Sequence, residues 1–76
     1  MKRELFARAI CLQMPVSYYL LSELGSYGVG VEYRGEKVQL RRLSRRRSSV
    51  EALLEAMRQG CVTPVTARDV TEDWFS

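Results

Sequence analysis

At 76 residues, 46% of them hydrophobic and 28% charged, the chain can build one hydrophobic core and is too short for two. It carries a net charge of +3 and no histidine, so the commonest general base near neutral pH and a favoured metal ligand are both missing. Acid–base catalysis is therefore not expected, and no apolar run approaches the roughly 18 residues a membrane span requires.

In chain order, residues 3–12 (RELFARAICL) admit either helix or strand. The alanines favour a helix, but no clean apolar stripe forms around Arg8, and strand is the preferred reading. Met14-Pro15 then marks a first turn. The aromatic-rich stretch SYYLLSEL follows as a second strand, with Tyr18 and Leu20 on one face and Tyr19 and Leu21 on the other. Gly25-Ser26 stands at hairpin distance beyond it.

SYGVGVEY alternates as a third strand, Tyr27, Val29, Val31 and Tyr33 facing one way and Ser26, Gly28, Gly30 and Glu32 the other. Arg34-Gly35 sits where a tight hairpin needs positive φ, and EKVQLRRL resumes the period of two through Val38 and Leu40. After residue 47 the period becomes helical. Val50, Leu53, Leu54 and Met57 form one apolar stripe, Ser48 with Glu51 reads as a capping box, and Gly60 as a left-handed stop. Beyond Pro64, Thr66 with Asp69 suggests a second helix start, with Ala67, Val70 and Trp74 along one side.

Strands first and helices second predict a single α+β domain over residues 1–76: an antiparallel meander of about four strands, with two C-terminal helices packed on one face. The segments YYLL (Tyr18 to Leu21), YGVGVE (Tyr27 to Glu32), the capped helix and VTPV…DVTED (Val62 to Asp73) together resemble an uncharacterised family of small bacterial proteins. The resemblance implies the same fold. It supplies no activity and no catalytic residues.

Charge is unevenly distributed. Residues 1–47 hold ten Lys/Arg against four Asp/Glu, and residues 48–76 hold two against five. Arg41, Arg42, Arg45, Arg46 and Arg47 are the candidate anion-binding residues. Guanidinium forks suit phosphate, and three of these residues directly precede a helix N-terminus. The competing reading is a solvated or internally paired shoulder. Arg41 and Arg42 are expected on opposite strand faces, and charged stems protect sheet edges. Arg41 to Ser44 also has the Arg-Arg-x-Ser pattern of a phosphorylation site, a pattern short enough to arise by chance.

Cys11 and Cys61, fifty residues apart, match no metal or redox spacing and read as two small buried apolar residues rather than a disulfide. Asp69, Glu72 and Asp73 read as a solvated helix face rather than a cation site. No catalytic, cofactor or metal residues are assigned. Both early strands are apolar on both faces, and two short helices can cover only one face. Phe6, Ile10, Tyr18 and Leu20 are therefore the candidate partner interface. The expectation is a non-catalytic, cytoplasmic protein-interaction module that self-associates or binds another protein. The alternative is a nucleic-acid or polyanion-binding accessory protein.

Overall fold

The structure, a computed structural model describing residues 1–76, is a four-stranded antiparallel sheet followed by two helices. Strands β1 (Lys2–Cys11), β2 (Met14–Glu23), β3 (Ser26–Tyr33) and β4 (Glu36–Ser44) lie side by side in chain order. Helices α1 (Arg47–Gln59) and α2 (Pro64–Phe75) complete the α+β domain that the sequence predicts.

Each hairpin closes through two residues of positive φ: Leu12 and Gln13, Leu24 and Gly25, Arg34 and Gly35. These turns carry the mirror-image twist that matches right-twisted strands. Glycine supplies the second position in two of them, where φ reaches 79° and 81°. The first turn has no glycine, which is why its position is misread from sequence. Met14 and Pro15 already lie in β2, opposite Cys11 and Ile10. Pairing of β2 with β3 begins only at Val16, so the missing Pro15 N–H breaks no bond there.

Register decides which face is covered. Tyr18 pairs with Val31, Leu20 with Val29, and Val29 with Leu40, which puts all of them on one side of the sheet. There they meet Val50, Leu53, Leu54 and Met57 of α1 and Ala67 of α2 in a single core that also holds Cys11, Val16 and Val62. The predicted α1 stripe is thus the buried one. Leu21 is also buried but lies outside this core, on the opposite face, where its side chain settles over Gly30.

The edge strand β4 is irregular. Arg41 to Leu43 stand opposite Gly28 alone, between the Tyr27–Ser44 and Val29–Leu40 pairs, and Arg42 takes a φ of 54° to accommodate them. Gly28 is needed there. A Cβ would run into the Leu40 carbonyl and lie 2.9 Å from the Arg41 Cα.

The helix ends differ from the sequence expectation. The N-cap of α1 is Arg46, with no side-chain cap, so Ser48 and Glu51 lie within the helix and form no capping box. Ser44 instead accepts a hydrogen bond from the Arg46 N–H at 3.0 Å. Gly60 has a φ of −90°, and the left-handed residue is Cys61 at 52°. Helix α2 starts at Pro64, ahead of Thr66, because the ring is tolerated in a first turn whose N–H groups lack partners anyway. Ala67 and Thr71 form its buried side, while Trp74 is largely exposed.

The cysteines correct the sequence reading most clearly. Cys11 and Cys61 form a disulfide, with Cα atoms 5.8 Å apart. The Leu12–Gln13 turn leaves Cys11 as the last residue of β1, beside the connection between α1 and α2. Separation along the chain hides that proximity.

Candidate functional site

The candidate interface residues fall in three different environments. Tyr18 and Leu20 lie under the helices at 0% and 2% exposure, and cannot meet a partner. The Tyr18 hydroxyl donates to the Val62 carbonyl at 2.8 Å, and burial pushes its phenol pKa up. Phe6 is half-buried against the core at an irregularity where β1 shifts register between Leu5 and Ala7. Ile10 alone is open, at 72% exposure.

The face the helices leave uncovered is therefore that of Tyr19 and Leu21. Across it run Arg3 opposite Leu21, Leu5 opposite Tyr19, Arg8 opposite Ser17 and Ile10 opposite Pro15. Much of its centre is covered by its own side chains. The Arg3 guanidinium lies 4.4 Å from the centroid of the Tyr19 ring and donates to Glu32 at 3.0 Å. Tyr19 donates to the same carboxylate at 3.5 Å. Lys37 and Gln39 complete the lining of a shallow hollow there.

Exposed apolar side chains fall in three places: Leu24 in the second turn, Val65, Trp74 and Phe75 on α2, and the longest run on β1 and the turn that follows it. Leu5 is 47% exposed, Ile10 72%, Leu12 89% and Met14 38%. Strand β1 is an outer strand of the sheet, paired with β2 only. Leu12 and Met14 escape the sequence reading because their exposure depends on where the first turn falls, and Leu5 because the shift between Leu5 and Ala7 moves it to the face of Ile10.

The five arginines do not form one surface. Arg41 grips Glu23 with a two-pronged fork, Nε at 2.6 Å and the terminal nitrogen at 2.5 Å, and Arg42 reaches the same carboxylate at 3.6 Å. The bulge is what lets neighbours expected on opposite faces converge. The Arg41 fork, joined by the charges of Arg41 and Arg42, holds the Glu23 carboxyl below the usual glutamate range. Arg47 donates to Glu51 at 3.2 Å and to Glu4 at 3.1 Å, tying α1 to β1. Arg45 and Arg46 are exposed, and neither forms an ion pair. Among the acids of α2, Asp69, Glu72 and Asp73 are exposed and likewise unpaired.

A four-stranded meander with a helix pair on one side defines a small α+β domain. The chain belongs to a family of unknown function (DUF6514), whose model matches residues 5–76. No curated protein and no solved structure matches it. No helix is long and apolar enough to cross a membrane.

Proposed function

We propose that this chain is a small, non-catalytic interaction module that self-associates through the free edge of β1 and the end of the β1–β2 hairpin. The observation behind this reading is the exposure of Leu5 and Ile10 on the uncovered face of an edge strand, continued by Leu12 in its turn. Isolated exposed apolar residues are ordinary, but a cluster beside unpaired strand backbone is not. Full burial of one such side chain is worth about 1.5–3 kcal/mol before the cost of association is subtracted, which sets the expected self-association as weak. The irregularity between Leu5 and Ala7 interrupts the edge, which leaves the regular backbone of residues 7–11 to pair.

The free edge favours a second copy as the partner, because residues 7–11 can pair antiparallel with the same residues of another chain in a two-fold contact. The Ile10→Lys/Leu12→Lys double variant tests the reading. Both side chains are exposed, so the fold should be retained while association weakens at least tenfold by sedimentation. Unchanged association would exclude this surface.

A polyanion-binding reading rests on Arg45 and Arg46, the two arginines of the cluster without an acidic partner. Two phosphate contacts would weaken oligonucleotide binding about tenfold between 50 and 200 mM salt. No binding at 50 mM salt removes that reading. Cytoplasmic residence, the sequence expectation, is compatible with the Cys11–Cys61 bond only where that bond forms transiently, since reducing compartments keep thiols open.

A further inference from the structure

We infer that the Cys11–Cys61 bond is a thiol-exchange site, attacked at Cys61, and that opening it weakens the association surface proposed above. Thiol–disulfide exchange needs a thiolate to reach one sulfur along the line of the bond, so access selects the sulfur attacked. The two cysteines differ sharply in access. Cys11 is 4% exposed, at the end of β1, whereas Cys61 is an exposed residue in the short connection outside both helices. Its backbone is left-handed, φ 52°, and its N–H donates to the Arg58 carbonyl at 3.4 Å.

The consequences of opening are as uneven as the access. The connection between α1 and α2 keeps other tethers, since the Val62 carbonyl accepts from Tyr18 and the Val62 N–H donates to the Met57 carbonyl at 3.0 Å. The end of β1 keeps its pairing to β2 and the packing of Ala9 and Cys11 on the core, but Ile10 and Leu12 on either side of Cys11 face solvent. Ile10 precedes Cys11 and Leu12 follows it, so the bond anchors the segment that carries the most exposed apolar side chains of the proposed surface. Opening should loosen that segment and leave the helix-packed core in place.

The chemistry balances with a monothiol of the glutathione class as co-reactant. Its thiolate attacks the Cys61 Sγ, a new sulfur–sulfur bond forms, and the Cys11 sulfur leaves with the electron pair and takes a proton from water. A second thiolate attacks the small-molecule sulfur of the mixed disulfide and releases Cys61, which is protonated in turn. Two electrons pass from the two small thiols, which end as their own disulfide, to the protein, which ends with two thiols.

The test uses the full-length chain, oxidised, with reduced glutathione as the probe. Intact-mass and peptide mass spectrometry should find the first adduct on Cys61 and not on Cys11. The fully reduced protein should keep its far-UV spectrum at 25 °C while its self-association weakens at least tenfold, and the Cys11→Ser/Cys61→Ser double variant should sediment as the reduced protein does. Adducts on Cys11, reduction only in denaturant, or a reduced protein that unfolds would each overturn the inference, the last because the bond would then be a staple. Equal association in both redox states overturns the coupling alone. An oxidised protein that is monomeric defeats the association reading and the coupling with it, and the site of the first adduct still judges exchange at Cys61.

Discussion

The Tyr18 hydroxyl is the clearest single polar tie between sheet and helices. It is buried, donates at 2.8 Å to Val62, and spans 44 residues of chain. Tyr18→Phe removes the donor and leaves the Val62 carbonyl without it, which should cost about 1–2 kcal/mol in chemical denaturation. An unchanged midpoint would show that water replaces the bond. Thr71 presents the opposite case, because its Oγ1 is buried without a hydrogen-bond partner. Thr71→Val should therefore leave stability unchanged or raise it by about 1 kcal/mol, and a marked loss would reveal a partner for the hydroxyl. Glu23 makes the fold sensitive to acid. Its carboxyl pKa is lowered in the folded chain, so the stabilisation is complete above the ordinary glutamate value of 4.5 and is lost as the pH falls from there through the folded value. Between pH 6 and 3, Glu23→Gln should flatten the decline in denaturant midpoint relative to the parent. Parallel curves would mean the Arg41 fork contributes nothing in solution.

Helix α1 and the β3–β4 hairpin are where local pattern and fold agree. The stripe Val50, Leu53, Leu54 and Met57 is fully buried, so Leu53→Ala should cost about 2–5 kcal/mol in the same assay, and a cost below 1 kcal/mol would mean that α1 packs loosely. These elements were legible because each has a period of its own and the hairpin a glycine turn, whereas the end signals read for α1 misplaced its cap and its left-handed residue. The covered face of β2 was harder to read, since Tyr18/Leu20 and Tyr19/Leu21 are equally apolar. The signal was nonetheless present in β3. Gly28 and Gly30 offer a helix nothing to pack on, so Val29 and Val31 must line the core, and the turn at Leu24–Gly25 places Leu20 and Tyr18 opposite them. Chaining register to that alternation would have kept Tyr18 and Leu20 out of the interface. The first turn was not legible, because Leu12 and Gln13 adopt positive φ without glycine or asparagine to announce it. With that turn misplaced, the exposure of Leu12 and Met14 and the meeting of Cys11 with Cys61 were out of reach.

For the molecule as a whole, stability and association meet at the same end of the sheet. The disulfide closes a loop of 50 residues, and chain-entropy arguments value such a constraint at about 4 kcal/mol. A domain of 76 residues is stable by roughly 4–11 kcal/mol in total, so the bond supplies part of that margin, and the reduced chain, folded at 25 °C, draws the remainder from its core. Reduction should lower the thermal midpoint by roughly 15–30 °C, and a shift below about 5 °C would mean that the native geometry gives back most of the entropic gain. The arginines matter less at this scale than their number suggests, because Glu23, Glu4 and Glu51 already engage three of the five. What the fold leaves open is the apolar margin along β1. Sedimentation equilibrium of the oxidised chain over a concentration series from about 1 to 200 μM tests that claim most directly. The account predicts a weight-average mass that rises from 8.8 kDa toward twice that value, and a flat 8.8 kDa across the series would contradict it.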